Sequence, residues 1–238
     1  MGEAQLLPWD SDWLGFPVAR LAARLGQAVD MPATVAQCQA SGIRLLYLVL
    51  DPADAGAAAA ARTAGACLAD IKLTYQLLLP APELPEPASA GIQLTRAAAL
   101  TPTLERLAWQ SGEYSRFRRD AQIGALAFET LYTRWLRQAL AQGTVWAASN
   151  EDNETVGLLA FDTHGSAAAS IELLAVAPAA RRQRIGHLLV QAAQQEAYRL
   201  GHATLRVVTQ AANQPAWQFY ERCGFQLIST EHYYHLWL

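Results

Sequence analysis

Cysteine is scarce in this 238-residue chain, and the three present, Cys38, Cys67 and Cys223, are scattered and share no paired spacing. That excludes a disulfide framework or a cysteine-based zinc site; no metal is expected, and a reducing, cytoplasmic setting is. Long hydrophobic runs are lacking as well. The most apolar-looking tract, residues 53–69, is alanine-rich and broken by Asp54, Gly56, Arg62 and Gly65, so it does not suit a bilayer and no membrane partner is expected. The start of the chain has no basic segment and meets Pro8 before any apolar stretch develops, which argues against a signal peptide, and Leu6 spoils a myristoylation pattern. Charge of one sign is missing too: the formal net charge of −3 gives no general pull toward nucleic acid or anionic lipid. No Ser/His/Asp or Cys/His constellation calls for covalent catalysis.

What is present suits one large domain or two modest ones, with roughly 70% or more of the extended-chain surface buried on folding. Prolines 80, 82, 85 and 87 crowd one segment and remove backbone donors, which predicts a linker at 80–91 between a small α/β domain (1–79) and a larger domain (92–238). In the first, strands are expected at 16–21, 44–50 and 67–79, with helices at 32–40 and 53–64. In the second, a strand at 92–96 precedes helices at 101–111 and 123–140, the latter carrying Leu126, Leu131, Trp135, Leu136 and Leu140 at helical spacing. Strands at 144–149, 155–162 and 168–176 follow. A helix at 186–200 closed by Gly201, a strand at 203–210, a short helix at 214–222 and paired strands over 225–238 complete the reading.

The richest local signal is the passage from Ile171-Glu172-Leu173-Leu174-Ala175-Val176 through Pro178 into Arg181-Arg182-Gln183-Arg184-Ile185-Gly186-His187. A strand running through a basic turn into a helix suits a phosphate: free N–H groups and the helix dipole attract an anion, Gly186 permits close approach, and the arginines reinforce both. This segment resembles motif A of the GCN5-related N-acetyltransferase (GNAT) superfamily, an Arg/Gln-x-x-Gly-x-Gly/Ala turn, with Arg181 and Gly186 at its ends and Arg184 in place of the usual first glycine. The resemblance implies a mixed, mostly antiparallel α/β sheet flanked by helices and an acetyl-CoA cosubstrate. Its pyrophosphate would sit on Arg181, Arg182, Gln183, Arg184, Ile185, Gly186 and His187, and its pantetheine arm along Leu174, Ala175 and Val176.

A second block, Asn213-Gln214-Pro215-Ala216-Trp217-Gln218-Phe219-Tyr220-Glu221-Arg222-Cys223-Gly224-Phe225, is similar to the superfamily's Asn…Phe-Tyr…Gly-Phe segment. By the resemblance Asn213 binds cofactor and Tyr220 is the general acid that protonates the departing thiolate, after direct attack of an amine through a tetrahedral intermediate. A backbone N–H in the 174–176 strand is the expected oxyanion donor. Glu172, read as sharing a strand face with Leu174 and Val176, is the candidate base.

Patches over both halves, Trp9 to Phe16, Ser115 to Arg118 and Thr204 to Gln210, also resemble bacterial TDP-fucosamine acetyltransferases. That implies an acceptor of the TDP-4-amino-4,6-dideoxygalactose type. Ser115, Arg116, Phe117 and Arg118 would meet it, guanidinium groups for phosphate oxygens and an aromatic face for base or sugar. Trp9 and Trp13 read as packing anchors. Another small amine, a protein N-terminus, or a non-catalytic acyl-CoA-binding role stay open on the sequence alone, as does a homodimer.

Overall fold

Six consecutive apolar residues, Leu45–Leu50, are all buried, because the strand they form is covered on both faces. It belongs to a computed structural model that describes residues 4–27, 29–79, 91–163 and 168–238. In chain order the elements are β1 (Gln5–Leu6), α1 (Pro8–Leu14), β2 (Val18–Ala23), α2 (Met31–Ala40), β3 (Leu45–Leu50), α3 (Ala55–Thr63), β4 (Cys67–Leu78), β5 (Gln93–Arg96), α4 (Pro102–Ser111), α5 (Arg116–Arg119), α6 (Ala125–Ala141), β6 (Val145–Ser149), β7 (Thr155–Asp162), β8 (Ala168–Val176), α7 (Ile185–Arg199), β9 (Thr204–Gln210), α8 (Gln214–Arg222) and β10 (Gln226–Trp237). Local chemistry sets several starts. Asp30, Asp54 and Thr101 each accept a hydrogen bond from the N–H three residues on, capping α2, α3 and α4, with a proline in the first turn of α2 and α4.

All ten strands form one sheet in the order β1-β2-β3-β10-β4-β9-β8-β7-β6-β5. Pairing is antiparallel except for β2 with β3 and β8 with β9. On one face Leu107 of α4 and Leu131 and Leu136 of α6 pack with Leu158 and Leu173; this core also takes in Trp13, Val18 and Tyr47 from the first part of the chain. On the other face Ile185, Leu189 and Ala193 of α7 close over Leu159, Ile171 and Val207. Helices α2 and α3 cover the same sheet further along, over Leu21, Leu46, Leu48 and Tyr234.

Two expectations change. Residues 225–238, read as paired strands, form the single long strand β10, which inserts between β3 and β4 and pairs with both. Alternation marks the faces of a strand and says nothing of its partner, and here β10 finds a partner on each side. The expected division into 1–79 and 92–238 consequently falls across one continuous sheet, whose middle strand comes from the far end of the chain. The proposed linker, 80–91, lies outside the described residues except for Gly91. The short helices α1 and α5 were not foreseen.

Candidate active site

The site begins where two parallel strands separate. Strand β8 pairs with β9 from Ala168 opposite Thr204 to Ile171 opposite Val207, and no further. Beyond that point β8 stays with β7 to Val176, while β9 stays with β4 to Gln210, so the sheet splits and leaves the β9-facing edge of residues 172–176 unpaired. The split coincides with a bulge: along β7 the partners step from Leu173 to Ile171, skipping Glu172. The extra residue sends Leu173 into the core under α4 and α6 and Ile171 into the core under α7.

A cleft of about 940 Å³ occupies the gap. Leu174, Ala175 and Val176 form one wall; Arg181, Arg182, Arg184, Ile185, Gly186 and His187 form the next; Asn213, Tyr220 and Cys223 form the third. The structure thus brings eleven sequence-predicted residues to one cavity, whereas Gln183 is exposed in the same turn and does not line it. Arg182 (φ 65°) and Arg184 (φ 60°) are both left-handed, so the place where the motif has glycine keeps the glycine conformation with an arginine in it. Arg184 is the residue before α7 and offers no side-chain cap, and the first residues of the helix, Ile185 to His187, line the cleft. Gly186 is closely packed: a Cβ there would lie 3.2 Å from Cζ of Phe219, so that ring would have to give way.

Asn213 accepts from the Ala216 N–H through its Oδ1 and so caps α8 as well as lining the cleft. Tyr220 is 6% exposed, and burial pushes its hydroxyl pKa well above the usual tyrosine value. Cys223 stands 3.6 Å from Nδ1 of His187, and burial pushes its thiol up to about 11, so it is an inert thiol here. Sequence reasoning missed Gln110, whose Nε2 donates to the Val176 carbonyl at 2.9 Å; Arg181 Nε donates to the same oxygen at 3.3 Å. Only the fold could reveal it, since Gln110 arrives on α4.

A second cleft, about 590 Å³, opens on the far side of Tyr220. Ser111, Leu174, Asn213, Ala216 and Tyr220 line both, so the two spaces meet at the tyrosine. Glu172 lies in this second cleft. The bulge interrupts the face it was expected to share: Leu174 and Val176 pack toward α7, while Glu172 sits near Ser170 and Trp135 of α6. Burial, the largest cause, raises its pKa. Ser115, Arg116 and Phe117 line the same cleft. Phe117 has no free aromatic face: it is 9% exposed, edge-on to Trp13, with the Arg116 guanidinium 4.1 Å above it. Arg118 is exposed, stands over Phe128 and lines neither cleft. Trp13 is buried in the core as expected of an anchor, whereas Trp9 is half-exposed at the second cleft. Among the described residues no three His, Cys, Asp or Glu side chains are grouped to hold a metal ion, and no helix is long and apolar enough to cross a membrane.

A family model described as Acetyltransferase (GNAT) family matches residues 104–225. The spore coat polysaccharide biosynthesis protein SpsD of Bacillus subtilis (strain 168) is 29% identical over 139 residues, 58% of this chain and 47% of that protein. The chain therefore spans about half the length of that curated relative. Among solved structures, a GCN5-related N-acetyltransferase from Sphaerobacter thermophilus superposes with a TM-score of 0.64 at 14% identity, covering 98% of this chain and 76% of that one. The tandem GNAT protein of the clavulanic acid biosynthesis pathway gives 0.57 at 19% identity, covering 94% and 76%. These two likenesses establish the fold.

Proposed function

The chain belongs to the acetyltransferase (GNAT) family, and from that premise we propose that it transfers an acetyl group from acetyl-CoA to the 4-amino group of a nucleotide-linked amino-deoxysugar of the TDP-4-amino-4,6-dideoxygalactose kind. The observation that carries the reading is the parting of β8 and β9 into two clefts that meet at Tyr220. The first cleft fits acetyl-CoA by its chemistry. Arginines and the free N–H groups of α7 suit the pyrophosphate, Gly186 leaves room beside Phe219, and the unpaired edge of β8 offers backbone groups to an extended amide-bearing arm. Bound there, acetyl-CoA supplies an activated acetyl thioester.

The chain's own residues handle protons on either side. Tyr220 keeps its proton at all ordinary pH values and holds it at the junction, available to a departing thiolate. Glu172, whose pKa burial raises, lines the second cleft and is our candidate to take a proton from the incoming amine. Kinship with a polysaccharide biosynthesis protein supports a sugar acceptor. Mass spectrometry of acetyl transfer across 3-amino and 4-amino deoxyhexose nucleotides, free amino acids, polyamines and peptides tests this. The 4-amino sugar nucleotide should give the highest kcat/KM, and Tyr220→Phe should lower kcat roughly a hundredfold or more with acetyl-CoA binding intact. A better free amino acid, polyamine or peptide substrate overturns the sugar assignment, and acetyl-CoA binding with no amine acetylated overturns the enzymatic one.

A further inference from the structure

Two polar atoms of the second cleft lack the hydrogen bonds their burial calls for. Asp70 is 5% exposed and lines the cleft, yet its Oδ1 has no hydrogen-bond partner among the described residues; nor has Nε of Arg116. Asp70 sits near the start of β4, opposite Tyr233 of β10, just after a register shift that skips Ala69. Arg116 lies among three rings, 4.9 Å from Tyr47, 4.1 Å from Phe117 and 4.7 Å from Tyr233. Its charge attracts Asp70 without closing a hydrogen bond on that oxygen. A buried acceptor and a buried donor, both unpaired among the described residues and both on side chains that line one cavity, form a polar pair that a ligand group could satisfy.

We propose that Asp70 and Arg116 together read a ring hydroxyl of the acceptor, whose O–H donates to Asp70 Oδ1 while its oxygen accepts from Arg116 Nε. The proposal rests on the sugar-acceptor reading above and names the group it recognises. A hydroxyl satisfies both atoms at once, since it carries donor and acceptor on one oxygen, whereas the acceptor's neutral amine must keep its lone pair for attack. An ammonium would leave Arg116 unpaired. A phosphate, which only accepts when ionised, would leave Asp70 unpaired. Arg116 therefore reads the sugar, a reassignment from the phosphate role its sequence context suggested.

The test is steady-state kinetics with TDP-4-amino-4,6-dideoxygalactose and its 2-deoxy and 3-deoxy analogues, on wild type, Asp70→Ala and Asp70→Asn. In both variants the acceptor KM should rise, roughly tenfold or more for the alanine, with the acetyl-CoA KM unchanged and no fall in thermal midpoint. One deoxy analogue should lose a similar factor on wild type and nothing further on Asp70→Ala, because the partner it would have met is already gone. If wild type acetylates the sugar and both variants keep its acceptor KM, this inference fails and the proposed function stands. A parallel rise in the acetyl-CoA KM, or a lower midpoint, marks Asp70 as structural and also overturns it. If wild type acetylates no amino sugar, both readings fall together.

Discussion

Asp70 shows what a single residue contributes when burial and function oppose one another. Its pKa rises from 3.8 to about 6 because burial outweighs the attraction of Arg116, Arg119 and Lys72 and the hydrogen bond from the Ile71 N–H. A carboxyl whose pKa is higher in the folded state lends stability that is fully present below the unfolded value and is lost as pH climbs through the folded one. Wild type should thus lose stability between about pH 4 and pH 7 through this group. Asp70→Asn escapes that loss. Thermal midpoints of the two proteins should coincide near pH 4 and diverge in favour of the variant above neutrality, by on the order of 5 °C. A less stable variant at pH 8 would mean that the carboxylate supports the fold. Asp10 and Glu172 also have raised pKa values, but they are common to both proteins and drop out of the difference.

At the scale of the element, the turn before α7, proposed above to meet the pyrophosphate, carries a conformational cost. Arg184 occupies the left-handed region, which costs an L-residue roughly 1 kcal/mol that glycine does not incur. Arg184→Gly should therefore raise the thermal midpoint by about 2–4 °C while weakening acetyl-CoA binding several-fold through the lost charge. Tighter binding in the glycine variant would show that the strained turn, and not the guanidinium, governs affinity.

Much of this element was legible in advance. Strands β7 and β8 and helix α8 fall where periodicity and flanking turns place them, and Arg181 to Gly186 with Asn213 to Phe225 mark the cleft before any fold is known, because both are local patterns. The bulge at Glu172 was hidden, since an extra residue in a strand is defined only against its partner. The shared strand face assigned to Glu172 failed for that reason. Phe117 looked like a stacking surface because sequence shows an aromatic ring and not what lies over it. Asp70 and Gln110 carried no local signal at all; each gains meaning from a neighbour far along the chain.

For the molecule as a whole, the decisive event is the return of β10 to the middle of the sheet. It pairs with both β3 and β4, and β4 pairs in turn with β9, so Tyr233 on β10, Asp70 on β4 and Arg116 on α5 meet in the second cleft. The same sheet splits between β8 and β9, and that split is where we propose the cosubstrate binds. Hydrogen exchange measured by mass spectrometry along the full chain, with and without acetyl-CoA, tests this placement most directly. Bound acetyl-CoA should slow exchange in residues 172–176, on the unpaired edge of β8, and in residues 184–187, at the start of α7, with little change in β1 to β3. Binding that leaves both segments exchanging as before, or that protects another part of the sheet instead, would contradict it.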